Sequence, residues 1–187
     1  MARANWLGLL GLSMLVFPTT HAGAEVREAG PSGFLSAHEL QLDGSPRAVY
    51  RALTRDIAKW WDASHSYGGE ARAFSLRARP GGCFCERLAD GGFVEHMRVV
   101  FARPPRAERD TGELRLAGGL GPLQTMAVSG SMTFLLEATD TGTRLSYRYR
   151  VNGGGLDGWA EPVDQVQLGQ LLRLRNYVER GDPSAAP

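Results

Sequence analysis

The feature that most constrains this chain is its final long periodic segment. From about Leu156 to Arg180, Val163, Val166, Leu171, Leu174, Tyr177 and Val178 fall near one helical face, and Leu168 and Leu172 widen the stripe. Gly181 and Pro183 supply the stop. A single long amphipathic helix must bury that stripe against something, and the segments before it are strand-like. The pattern therefore calls for an α+β domain in which an antiparallel sheet receives one helix.

The strand candidates are short, alternating and separated by turn residues. Phe34 to Leu42 alternates well enough to be the first. Ala71–Ala78, Cys83–Leu88, Phe93–Ala102 and Ala107–Leu116 follow, punctuated by Pro80-Gly81-Gly82, Asp90-Gly91-Gly92 and Pro104-Pro105. Ser129–Ala138 and Thr143–Val151 flank Thr139-Asp140-Thr141-Gly142, which reads as a hairpin turn. After the first strand, Ser45 as N-cap and Pro46 at the first helical position open a helix carrying Val49, Tyr50, Leu53 and Ile57. A break near Thr54-Arg55-Asp56 starts a second short helix with Trp60 and Trp61. The expected architecture is a curved antiparallel sheet of about six to seven strands around a long C-terminal helix, with two short helices after the first strand.

The first residues belong to a different class of segment. Arg3 precedes a charge-free apolar run from Trp6 to Phe17; Pro18, Thr19 and Thr20 break it, and Ala22-Gly23-Ala24 places small residues before Glu25. This is the layout of a secretory signal peptide cut after Ala24, with Thr20-His21-Ala22 as a second site. The run is about a dozen residues, short of the roughly 20 that a membrane helix needs. The expected organisation is a signal peptide over 1–24, a flexible mature end over 25–33, one domain over 34–181 and a disordered tail over 182–187, in a periplasmic or secreted protein. With 21 basic and 20 acidic residues in the chain, loss of Arg3 brings the balance to neutrality. A neutral surface argues against general nucleic-acid binding.

Several stretches resemble the START/SRPBCC superfamily, whose architecture is the helix-grip fold. "SPRAVYRALTRDIAKWW" (45–61) is similar to its first helix pair, "RPGGCFCE" (79–86) to a Pro-Gly-Gly turn leading into a strand, "GTRLSYRYRV" (142–151) to the penultimate hairpin arm, and "VDQVQLGQLLRLRNYVERG" (163–181) to the C-terminal helix. The resemblance covers residues 34–181 and is greatest to the branch of heat-shock-protein-90 ATPase activator homologues and polyketide cyclase-like proteins. It implies an apolar cavity between sheet and helix in which a small hydrophobic molecule is bound or carried, and in which some members catalyse reactions. An exported chain would not meet a cytosolic chaperone, so that partner is not expected.

Trp60, Trp61, His65 and Tyr67 form an aromatic cluster suited to a mostly apolar pocket. Leu123 and Met126 follow the Gly118-Gly119-Leu120-Gly121-Pro122 segment, which reads as a lid over the cavity. Glu95 shares strand parity with Phe93, Met97, Val99 and Phe101, and His96 shares parity with Arg98. If the apolar set faces inward, Glu95 and Met97 join the cavity wall, and Glu95 becomes a buried carboxylate able to act as a base or ligand anchor. The other reading is cross-strand pairing of solvent-facing charges. Glu95 and His96 are the candidate catalytic groups, with Tyr67 beside them in a cyclase- or dehydratase-like acid–base reading. Cys83 and Cys85 share one face of a strand, where a bridge between them would be strained. Two cysteines at this spacing do not make a zinc site, so they are taken as two small buried residues on the cavity wall. The expectations are thus a small hydrophobic or aromatic ligand, no metal, no cofactor and no membrane span, with a cell-envelope interaction module as the remaining alternative.

Overall fold

The computed structural model describes residues 26–185. The signal peptide expected over residues 1–24 lies outside the described residues. Alternation sets the sheet. Along Gly142–Gly153, Thr143, Leu145, Tyr147, Tyr149 and Val151 are buried, while Arg144 and Arg148 between them face out. This strand pairs with Val128–Thr139 across the expected Thr139–Gly142 turn, and with Gly33–Leu42 on its other side. Eight strands form one antiparallel sheet: β1 (Val26–Gly30), β2 (Gly33–Leu42), β3 (Phe74–Leu76), β4 (Cys83–Arg87), β5 (Phe93–Arg103), β6 (Gly112–Ala117), β7 (Val128–Thr139) and β8 (Gly142–Gly153). Their spatial order is β1-β2-β8-β7-β6-β5-β4-β3. Every connection but β2 to β3 joins neighbours, and that one crosses the whole sheet.

The crossover is carried by α1 (Pro46–Arg55) and α2 (Ile57–Trp60). Ser45 accepts a hydrogen bond from the Ala48 N–H, as an N-cap should. The Trp60 indole N–H donates to the Ala52 carbonyl at 2.9 Å, which folds α2 back on α1. The long helix α3 (Ala160–Arg180) then lies in the grip of the sheet, packed against β2, α1 and α2. It begins four residues later than periodicity suggests, because Gly158 takes a left-handed φ of 75° that ends the preceding turn. It stops at Gly181, whose φ is 72° and whose N–H returns to the Tyr177 carbonyl.

The face of α3 that meets the sheet is not the apolar stripe alone. Asp164, Gln167 and Gln170 are buried with Leu171 and Leu174. Each polar side chain has a partner: Asp164 Oδ1 with His38 Nε2 on β2 at 2.8 Å, Gln167 Oε1 with the Tyr147 hydroxyl on β8 at 2.8 Å, and Gln170 Oε1 with the Asp62 N–H at 3.0 Å. Buried polar groups require such partners.

Five expectations need correction. Residues 26–30 are not a loose mature end, because β1 pairs with β2 at the sheet edge. The final residues are not wholly disordered, since the Pro183 and Ala185 carbonyls accept from the Asn176 amide. The strand expected from Ala107 starts at Gly112, because the Asp110 carboxylate accepts the Arg106 and Ala107 N–H groups and holds a turn. The parity of β5 is broken twice. Phe84 faces Met97 and Cys85 faces Glu95, so His96 is an extra residue; Val99 and Phe101 likewise bracket Val100. Glu95 and Phe101 therefore face outward, Glu95 bonded twice to Arg98 and Phe101 beneath Arg115. Finally, Cys83 and Cys85 are bridged and lie on the outer face of β4, while Phe84 and Glu86 face inward.

The contact between Asp164 and His38 generates a test. Asp164→Ala leaves a buried imidazole without its partner and should lower the unfolding free energy by about 3 kcal/mol in urea titration. The joint change His38→Leu with Asp164→Leu should recover most of that loss. A single variant as stable as the parent would remove this contact from the account of how α3 is held.

Candidate functional site

A cavity of about 360 Å³ lies between the first half of α3 and the loop that follows α2. On the helix side, Trp159, Pro162, Val163 and Val166 form its wall, with Gln167 below them. On the loop side stand Trp61, Ser64, His65, Ser66 and Tyr67. Leu120, Gly121 and Pro122 close a third side, and His96 reaches in from β5. The walls are mostly apolar and the polar groups are few, the balance expected of a small-molecule site. Trp61 and His96 are buried, whereas His65 and Tyr67 are exposed at the mouth.

The bulge in β5 is what brings His96 here. Its ring packs against Phe74 and Phe84, with centroids 5.3 and 5.0 Å away, and against Tyr67 at 6.0 Å. His96 Nε2 is 3.1 Å from Glu86 Oε2. Glu86 is wholly buried and also accepts from the Ser66 hydroxyl at 2.6 Å, the Gly68 N–H at 2.8 Å and the Tyr67 N–H at 3.2 Å. Burial pushes the Glu86 carboxyl up, but these hydrogen bonds outweigh it and hold the group below its ordinary range. Burial pushes the His96 imidazole down, and the neighbouring Glu86 only partly offsets this. The pair is thus a carboxylate beside a neutral imidazole that donates its Nε2–H. The Nδ1 atom keeps its lone pair and has no hydrogen-bond partner among the described residues.

Two further polar contacts shape the cavity. The Tyr147 hydroxyl donates to Gln167 Oε1, which leaves the Gln167 amide N–H groups unspent among the described residues. Burial pushes the Tyr149 hydroxyl up to about 12; it stays protonated, donating to the Gly118 carbonyl at 3.3 Å and accepting from the Leu120 N–H at 3.0 Å. Together with the Gln124 amide, which donates to the Glu95 carbonyl, these bonds fasten the glycine-containing segment expected as a lid.

The site brings together Trp61, His65, Tyr67 and His96. It does not include the other residues expected from sequence. Trp60 is core beneath α1, and Met97 and Leu123 are core residues with 1% exposure each. Met126 packs against the core outside the cavity lining, and Glu95 is on the opposite face of the sheet. Sequence reasoning missed Glu86 as a site residue, Gln167, and the α3 wall. Trp159, Pro162, Val163 and Val166 do carry a readable signal, an i, i+3, i+4, i+7 spacing offset from the row at Asp164, Gln167 and Gln170.

No family model and no curated protein matches the sequence. Solved structures do match. A conserved protein of unknown function from Enterococcus faecalis, EF2215, superposes with a TM-score of 0.56 at 18% identity, covering 88% of this chain and 80% of that one. CalU16 from Micromonospora echinospora gives 0.54 at 18% identity, covering 88% and 84%. CV1439 from Chromobacterium violaceum gives 0.54 at 19% identity, covering 78% and 96%. With the sheet order and the gripped α3 these likenesses decide the fold. It is the helix-grip fold. At such identities the helix-grip likeness is one of backbone arrangement.

The buried Glu86–His96 pair makes stability depend on pH in a definite sense. His96 is depressed below its ordinary value of 6.5, so the unfolded chain takes up its proton first as pH falls below that value. Stability present above pH 6.5 is therefore lost on acidification through the folded-state value, and Glu86 adds a further loss below its ordinary 4.5. Melting temperatures measured from pH 8 to about pH 4 should fall across this range. In His96→Gln the part of the fall that begins near 6.5 should shrink; an unchanged slope would contradict the assignment of His96 as a buried neutral group.

Proposed function

We propose that this protein binds a small aromatic or apolar molecule in the cavity between α3 and the loop after α2. The observation that carries this reading is the cavity itself: about 360 Å³ of space with mostly apolar walls and a small set of oriented polar groups at its base. The volume lies within the range of small-molecule sites, roughly 300–1,000 Å³. Trp61, Tyr67 and Trp159 offer ring faces to a flat ligand, and Gln167 offers a donor for orientation. The START/SRPBCC resemblance points to the same use.

A second reading has one specific observation behind it. A neutral imidazole oriented by a buried carboxylate is the arrangement of a general base. In the acid–base reading, His96 takes the proton and Glu86 holds its tautomer. Glu95, the carboxylate expected for this role, is on the far side of the sheet. Binding and catalysis separate cleanly at this residue: His96→Gln would abolish turnover while leaving most of the affinity.

The layout of residues 1–24 supports a place of action outside the cytoplasm, in the periplasm or secreted. Expression of the full chain in a host with a general secretion system should yield a mature protein whose N-terminal sequencing starts at Glu25 or at Gly23. Retention of Met1 on protein recovered from the cytoplasm would overturn the export reading.

Thermal-shift and native mass-spectrometry screening against lipids, aromatic metabolites and polyketide-like compounds should return ligands that raise the melting temperature. Val166→Trp, which fills the cavity from α3, should weaken those hits by about 1–3 kcal/mol while leaving the unliganded fold intact. Hits that bind Val166→Trp unchanged would place the ligand elsewhere. A high-resolution structure with the cavity filled by side chains would end the binding proposal.

A further inference from the structure

The Cys83–Cys85 bridge lies on the opposite face of the sheet from the cavity, and it is unusual in what it joins. A structural disulfide gains most by closing a long loop or by tying two elements together. This one closes the shortest of loops, between residues two apart in one strand. Strand β4 is already hydrogen-bonded to β3 on one side and to β5 on the other, so the bridge secures nothing that the sheet leaves loose. It draws the two Cα atoms to 5.4 Å, where two residues of a regular strand stand about 6.6–6.8 Å apart. The shortened stretch sits opposite the bulge that admits His96.

The surroundings differ between the two sulfurs. Cys83 is 6% exposed, and its Sγ accepts from Arg77 Nη2 at 3.9 Å. Cys85 is half-buried. Arg98 lies opposite Cys83 in register. Glu95 is an acidic neighbour, whose carboxylate is within 4.8 Å of both sulfurs and is engaged by two bonds from Arg98. A guanidinium beside a sulfur favours its thiolate, and the better-stabilised thiolate is the better leaving group.

We propose that Cys83–Cys85 is a thiol–disulfide exchange site for an external dithiol, with Cys85 as the sulfur attacked and Cys83 as the leaving group. A thiolate of the dithiol attacks Cys85 Sγ, the Cys83–Cys85 bond breaks, and Cys83 departs as a thiolate beside Arg77. The second thiolate of the dithiol then attacks its own sulfur in the mixed disulfide and releases Cys85. The external dithiol is oxidised to a disulfide, the protein is reduced to two thiols, and the two protons lost by the dithiol balance the two taken up by the cysteines. Run backwards, the same steps oxidise the protein at the expense of a disulfide. This exchange site is independent of the ligand proposal, since it uses no cavity residue.

Full-length oxidised protein is incubated with dithiothreitol at neutral pH without denaturant, then alkylated and weighed. The bridge should open while circular dichroism keeps the folded spectrum, at a rate that rises in proportion to dithiothreitol, and Arg77→Gln should slow opening several-fold. With glutathione in place of dithiothreitol and an acid quench, the mixed-disulfide intermediate should map to Cys85 in about tenfold excess over Cys83. Opening only as fast as global unfolding, whatever the dithiothreitol concentration, would overturn the proposal. So would a mixed disulfide trapped mainly on Cys83. The wild-type experiment stands on its own if Arg77→Gln fails to fold.

Discussion

Helix α3 is laid on the sheet by a row of buried polar side chains. Asp164, Gln167 and Gln170 recur every three residues, one turn apart, and each finds a partner on a different element: His38 on β2, Tyr147 on β8 and the Asp62 N–H after α2. Apolar contact at Leu171 and Leu174 supplies burial but little direction. The hydrogen bonds supply the direction, because an unpaired amide or carboxylate in that position is heavily penalised. They fix how α3 is rotated. Rotated so, the helix turns Trp159, Val163 and Val166 toward open space instead of into the core, and the cavity is the result.

The second constraint acts from the other side of the cavity. A strand without irregularity would place Glu95 and Met97 on one face and His96 on the other. The extra residue in β5 lets both His96 and Met97 face inward, and it sends Glu95 out to Arg98. Glu86, on the neighbouring β4, is then in reach of the imidazole, and its remaining acceptor capacity is taken up by Ser66, Tyr67 and Gly68. One carboxylate thus orients the histidine and pins the loop that forms the cavity's opposite wall. This double duty explains why a buried negative charge is tolerated there.

The two faces of β4 carry different chemistry. Phe84 and Glu86 serve the cavity, while Cys83 and Cys85 form a bridge on the outer surface among Arg77, Glu95 and Arg98. The pinch and the bulge face each other across the β4–β5 ladder, so the same few residues set the shape of both sites.

Sequence alone determined the layout. Alternation in Gly142–Gly153, the Ser45-Pro46 helix start, the Thr139–Gly142 turn and the long periodic C-terminus are local signals, each caused by a residue's own geometry or by burial at a fixed period. They suffice for an antiparallel sheet with one gripped helix, and they place Trp61, His65 and Tyr67 in the segment that walls the cavity. What faces what was decided only by the tertiary structure. Bulges in β5 inverted the parity on which the choice of Glu95 rested, and no residue in Phe93–Arg103 announces them, because a bulge is a property of two paired strands. The polar row on α3 was equally hidden. Asp164, Gln167 and Gln170 look like solvent-facing residues until His38, Tyr147 and the Asp62 N–H are brought to them by chain segments up to 126 residues away.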